Sequence, residues 1–205
     1  MANVKITDLS AASTPLAGSE ELEIVQSGVS VRASAAAIGN SANALPFASV
    51  SGRAYLSAYD TNDQAGSVSA ATPIKIGTTS LAQGISITNN GSGNPTRITF
   101  AAAGVYMVAP SLQISNSAAS DYDITVWFRK NGVDIANSAT SITVPKVGDG
   151  GNAFFQIVTY EQVTAGQHIE IMWLPENVAI TLEHTAAGAI APAIPSVILA
   201  TERIA

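Results

Sequence analysis

Residues 98–132 read ITFAAAGVYMVAPSLQISNSAASDYDITVWFRKNG, and this stretch decides the fold. Two long runs, Val105–Ile114 and Asp121–Lys130, carry the two-residue rhythm of β-strands, and the small polar loop Ser115–Ser120 joins them. In the second run Ile124, Val126 and Phe128 fall on one face, and Thr125, Trp127 and Arg129 on the other. Successive side chains of a strand point to opposite faces, so this is the alternation of a half-buried strand. Asn131-Gly132 follows, the dipeptide that most readily adopts two positive φ values, and predicts a tight hairpin into Val133–Asn137.

Working outward, the chain from residue 53 onward repeats this pattern. Strands are predicted near Ala54–Tyr59, Pro73–Thr78, Gly84–Thr88 and Thr96–Phe100, ahead of the central pair. Behind it follow Ser138–Val144, Asn152–Val163, His168–Leu174, Val178–His184 and Ser196–Ile204. The intervening turns are rich in Asn, Asp and Gly, the residues that tolerate left-handed backbone: Asn89-Asn90-Gly91, Asp149-Gly150-Gly151 and Ala165-Gly166. Short, regularly spaced strands with no helical period define an all-β sandwich or barrel.

The totals agree with one such domain and an appendage. The chain has 205 residues, 47% of them hydrophobic and 12% charged, about half the usual charged share. So few charges suit a protein that covers much of its surface with copies of itself or with a larger body. A net charge of −6, with only Arg129-Lys130 adjacent among nine basic residues, argues against nucleic acid as a partner. Cysteine is absent, which excludes disulfides, thiolate metal sites and thiol nucleophiles. MANVKITDLS has no apolar signal-peptide core and no run approaches about 18 apolar residues, so neither a secretory signal nor a membrane span is expected.

Residues 1–47 are of a different kind. Three short apolar pieces, Val4/Ile6/Leu9, Leu22–Gln26 and Val29–Val31, are separated by Ser, Gly and Pro, and Ser27-Gly28 predicts a small hairpin between the last two. Ser34 is placed to cap a helical turn over Ser34–Ile38. A two-stranded ribbon is marginal alone in water, so an arm of this kind needs a surface to dock on. Residues 40–52, NSANALPFASVSG, read as a linker, and the boundary is placed near residue 48, with the β domain running 48–205.

Two resemblances sharpen this. The run ITDLSAAS…LAGSEELEIVQSGVSVRASAAAIG is similar to the amino-terminal segment of tailed-bacteriophage virion proteins, on Ile6, Leu9, Gly18, Leu22, Val25, Gln26, Gly28 and Val29. That resemblance implies attachment to a virion through Ile6, Leu9, Leu22, Ile24, Val25, Val29 and Val31. Their burial would contribute roughly 1.5–3 kcal/mol for each large side chain before ordering costs.

The second resemblance covers about 150 residues, and its matched pattern runs from ITF at Ile98–Phe100 to SVILATERI at Ser196–Ile204. It is to the jelly-roll domain shared by complement C1q and tumour necrosis factor. Gly104 and Tyr106 match the G-x-Y opening of a long strand, and Arg129, Asn131 and Gly132 match a basic strand end followed by Asn-Gly. Val163, Gly166, Gln167, Ile169 and Ile171 match the entry to a late strand. The collagen stalk and late Phe-Ser-Gly segment of the animal members are missing, which leaves receptor and ligand open. The resemblance implies a homotrimer with an axis lined by large side chains, for which Tyr106, Phe154, Phe155, Tyr160 and Trp173 are the candidates.

No catalytic constellation emerges. His168 and His184 have no metal-ligand spacing, no Ser sits in a nucleophile elbow, and the Gly-rich pieces lack the Lys-Ser/Thr of a phosphate loop. Asp60-Thr61-Asn62-Asp63 and Asp121/Asp123 gather oxygens, but hard cations want six to eight ligands, and turn chemistry is the better reading. The expectation is therefore a structural protein with no enzyme site, cofactor or metal, located on a virion. It would be a trimeric capsid decoration or head-fibre protein that contacts the major capsid protein or another virion protein. The alternative is a short tail fibre that recognises a host surface glycan or protein.

Overall fold

A computed structural model describes residues 21–26, 29–34 and 53–205. Contacts divide the chain into two units, Met1–Gly52 and Arg53–Ala205. In the first, β1 (Glu21–Gln26) and β2 (Val29–Ser34) form an antiparallel hairpin with Leu22 opposite Ala33, Ile24 opposite Val31 and Gln26 opposite Val29. The ribbon continues through Ser34, the last residue of β2. Ile6, Leu9, the helical turn beyond Ser34 and the linker lie outside the described residues.

The second unit is a two-sheet sandwich. Its strands in chain order are β3 (Tyr55–Asp60), β4 (Gln64–Ala65), β5 (Thr72–Pro73), β6 (Thr78–Gln83), β7 (Ile85–Asn89), β8 (Pro95–Phe100) and β9 (Gly104–Asn116). There follow β10 (Tyr122–Lys130), β11 (Val133–Asp134), β12 (Thr140–Val144), β13 (Asn152–Gln156), β14 (Thr159–Val163), β15 (His168–Pro175), β16 (Ile180–Leu182) and β17 (Val197–Arg203). One sheet has β10, β15, β8 and β7 side by side, with β11 and β12 on β10. The other has β9, β17, β3 and β6 side by side, with β13 and β14 on the free edge of β9. From β8 onward the chain crosses between sheets from β8 to β9, β9 to β10, β12 to β13, β14 to β15 and β15 to β16. Antiparallel strands wound in this alternating order make a jelly roll.

Apolar alternation places the core between the sheets. Trp173, Tyr106, Phe100 and Phe128 are the largest fully buried side chains, and Ile74, Ile98, Leu112, Ile124 and Ile171 fill the space around them. The Phe100 and Tyr106 rings meet at 4.4 Å, and the Tyr106 hydroxyl donates to the Ala102 carbonyl at 3.0 Å. Gly104 allows the chain terminus to close over it: a Cβ there would collide with Arg203 Nε and stand 2.6 Å from the Ala205 carbonyl oxygen. The hairpin at 131–132 has positive φ at both positions, 49° and 83°, which matches the twist of the strands it joins.

Three elements differ from the sequence reading. The expected strand over 73–78 is a crossing segment whose amides pair with separate strands, Ile74 to Ile171 and Ile76 to Pro95. Its strand instead forms at Thr78–Gln83, where no apolar alternation exists because every residue is exposed. The single run expected over 152–163 is broken between β13 and β14. The break lies opposite Pro110, which has no N–H to donate, and the register is unchanged across it. The arm expected over 133–137 ends at Asp134, whose carboxylate accepts from Trp127 Nε1 and Arg129 Nε.

Candidate functional site

The five proposed axis residues fall into two groups. Tyr106, Phe155 and Trp173 are core residues, with 0%, 7% and 0% of their surfaces exposed. Their parity points them between the sheets, so they cannot line a contact between copies, and that expectation is corrected. Phe154 and Tyr160 point outward and are 62% and 60% exposed. The unbroken register of β13 and β14 on β9 sets Phe154 opposite Gln113 and Tyr160 opposite Met107 on one face.

That outward face is unusual in its chemistry. Following the hydrogen-bonded registers, Tyr160, Met107, Glu202 and Tyr55 make one row, and Ala109, Ala200, Ser57 and Leu81 the next. Ser111, Ile198 and Tyr59 make a third. Glu202 is the one charged side chain in these rows. Tyr55, Leu81, Tyr160 and Ile198 are exposed large hydrophobics, and Tyr55, Leu81, Met107, Ala200 and Glu202 surround a groove of about 340 Å³. Tyr160 stands out in the sequence itself, and Leu81 and Ile198 do not, because an exposed apolar side chain becomes informative only once its neighbours on adjoining strands are known.

The other sheet has an ordinary polar outer surface. Arg129 pairs with Asp134 at 2.7 Å there, while Lys130 at the end of β10 reaches Glu161 on β14 of the β9 sheet at 2.8 Å. The Arg129 hydrogen bond, followed by that of Trp127, holds the Asp134 carboxyl below its usual pKa. His168 opens β15, and burial, reinforced by the positive charge of Arg97, lowers its pKa against the opposing pull of Glu170. Glu170 is buried and accepts from Thr96 Oγ1 at 2.6 Å.

The oxygen-rich turns hold the fold together. Asp60 Oδ1 accepts the Asn62 amide and side chain at 2.9 and 3.0 Å, and its Oδ2 accepts the Gly77 amide at 2.7 Å. Asp63 accepts the His184 amide, Asp121 the Lys146 amide, and Asp123 the Thr143 hydroxyl. Among the described residues no group of three or more His, Asp or Glu side chains stands close enough to hold a metal ion.

The structure thus defines an all-β jelly-roll protein with a nearly uncharged outer sheet face. No family model matches the sequence, and no curated protein matches it. Solved structures that it resembles include crystal structures of murine APRIL at pH 8.5, pH 5.0 and pH 8.0. Sequence identities are 10%, 9% and 9%, and TM-scores 0.46, 0.46 and 0.47, over 74% of this chain and 99% of each of those. The jelly-roll assignment comes from this chain's own strand order.

Proposed function

We propose that this chain is a non-catalytic structural protein that assembles as a homotrimer and is carried on a tailed-phage virion by its amino-terminal segment. One observation carries the assembly: three rows of the outward sheet face hold Tyr55, Leu81, Tyr160 and Ile198 exposed with one charge, Glu202, among them. A face of this kind left in water is a liability, and a cyclic trimer covers it by setting part of each copy against a different part of the next. The virion half of the reading rests on the amino-terminal resemblance and on the hairpin that carries Leu22, Ile24, Val25, Val29 and Val31. Three arms on one trimer raise a weak attachment to a firm one through effective concentration.

Decoration of a capsid or a head fibre is the form we favour, with the major capsid protein or another virion protein as partner. A second reading, a short tail fibre that meets a host surface, is favoured by the polar cleft beside Phe154.

Light scattering on the full chain tests the assembly. The expected mass is three times 20.9 kDa, and Leu81→Lys with Ala200→Lys should reduce it to one copy. A monomeric wild-type chain, or a trimer indifferent to both substitutions, would refute the interface. Mixing the trimer with undecorated particles, with Ile24→Asp as control, tests the attachment. Equal binding of the variant would sink that half alone.

A further inference from the structure

At the end of the outward face, beyond the apolar rows, the surface dips into a cleft of about 370 Å³. We propose that this cleft binds a neutral saccharide unit. Gln113, Asn152, Phe154, Glu183, Thr185 and Ile194 surround it. Its size falls within the range of small-molecule sites, and its lining combines an exposed aromatic ring with convergent polar groups.

The polar groups are uncommitted. Among the described residues the side chains of Gln113, Glu183 and Thr185 make no hydrogen bond, and Asn152 uses its Nδ2 on the Gly150 carbonyl, leaving Oδ1 free. The backbone that carries them is pinned. Glu183 N donates to Gln113 O at 2.9 Å, His184 N to Asp63 Oδ1 at 2.7 Å, and Thr185 and Ile194 exchange both amides at 2.9 and 2.8 Å. A ligand therefore does not have to order a loop and fixes only side-chain rotamers, which lowers the cost of binding.

The chemistry selects the ligand class. Phe154 stands in the cleft wall with 62% of its surface exposed, a flat apolar face against which the C–H face of a pyranose can pack. The hydroxyls on the ring edge need acceptors and donors within reach. The Glu183 carboxylate accepts two, the Gln113 amide both donates and accepts, and the Thr185 hydroxyl does either. Glu183 is the one charged group in the lining, so phosphates, sulfates and sialic acids meet repulsion with no cation to offset it.

The site borders the face of the trimer reading. Gln113, opposite Phe154, is six residues or roughly 20 Å along β9 from Met107 of the first row, and two residues from Ser111 of the third. The saccharide proposal rests on the lining of the cleft and not on the trimer or the virion.

Saturation-transfer NMR on the full chain tests it, with the methyl glycosides of glucose, galactose, mannose and N-acetylglucosamine as probes and N-acetylneuraminic acid as the anionic comparison. The expected result is transfer to the ring C–H protons of at least one neutral glycoside and none to the acid. Phe154→Ala should abolish it, Phe154→Tyr should retain it, and Glu183→Gln should weaken binding about tenfold by removing the charge from the acceptor. Thermal melting of each variant separates lost binding from lost folding, and Glu183→Gln decides alone if Phe154→Ala unfolds. No transfer to any neutral glycoside, preference for the acid, or transfer unchanged in folded Phe154→Ala and Glu183→Gln would overturn the site.

Discussion

Asp60 offers the sharpest test of how the loops at one end of the sandwich are held. It ends β3, is 3% exposed, and spends both carboxylate oxygens on N–H donors from two loops, Asn62 and Gly77. Its own carbonyl accepts the Ser196 amide at 2.9 Å, so the entry to β17 hangs on the same residue. Asp60→Asn keeps the shape and converts one oxygen into an NH2 donor. Whichever way the amide turns, a donor then faces a donor, at either the Gly77 amide or the two Asn62 groups. Hydrogen bonds to a charged acceptor contribute about 1.5–3 kcal/mol each, so the loss comes to about 3 kcal/mol after the exposed Asn62 groups return to water. For a domain of this size about 1 kcal/mol shifts Tm by about 2–4 °C, which puts the change at roughly 6–12 °C.

The assay is a melting curve by circular dichroism at one fixed protein concentration, since assembly makes Tm depend on concentration. Asn62→Ala removes one side-chain bond from an exposed residue and serves as the mild control. A Tm for Asp60→Asn within about 2 °C of wild type would refute the reasoning. A wild-type Tm that rises with calcium would refute it differently, by showing that the oxygens bind a cation in place of the amides.

Three further outcomes follow from the geometry. Gly104→Ala should release the last residues of the chain, because the added methyl takes the space of the Ala205 carbonyl and the Arg203 side chain. Faster proteolysis at the carboxyl terminus and a lower Tm would report it. Gly132→Ala should cost about 1–2 kcal/mol by chemical denaturation, since φ is 83° and no neighbouring atom obstructs the methyl, which leaves backbone strain as the sole cause. The lowered pKa of His168 makes the unfolded chain bind its proton more readily than the folded one. Stability from this group is therefore full above about pH 6.5 and falls as pH drops through that value toward the folded pKa. His168→Gln should flatten that part of the profile, and an unchanged slope would assign it elsewhere.

Much of the fold was legible in the sequence because it rests on local alternation. Ile124, Val126 and Phe128 announced the inner face of β10, and Asn131-Gly132 announced the turn after it. Both signals are set by neighbours a few residues away. The core was only half legible. Alternation separated Phe154 from Phe155 correctly, yet it could not say which of the two faces the opposite sheet, and Tyr106 and Trp173 could be sorted into the core only by that sheet's position. β6 gave no signal, since Thr78–Gln83 is exposed throughout and forms by pairing with β3 at an edge.

The two surfaces that carry the functional proposals were the least legible. Leu81, Ala200, Met107 and Tyr160 come from four strands spread over about 120 residues of chain, and only their registers make them one face. The cleft likewise brings Gln113 and Phe154 to Glu183 and Thr185 through backbone pairing between distant segments. That the chain forms antiparallel strands, and where most of them turn, follows from local sequence, because strand period and turn chemistry are short-range properties. The tertiary structure alone decided which side chains share a surface, because that depends on strand order, and strand order is settled by long-range pairing.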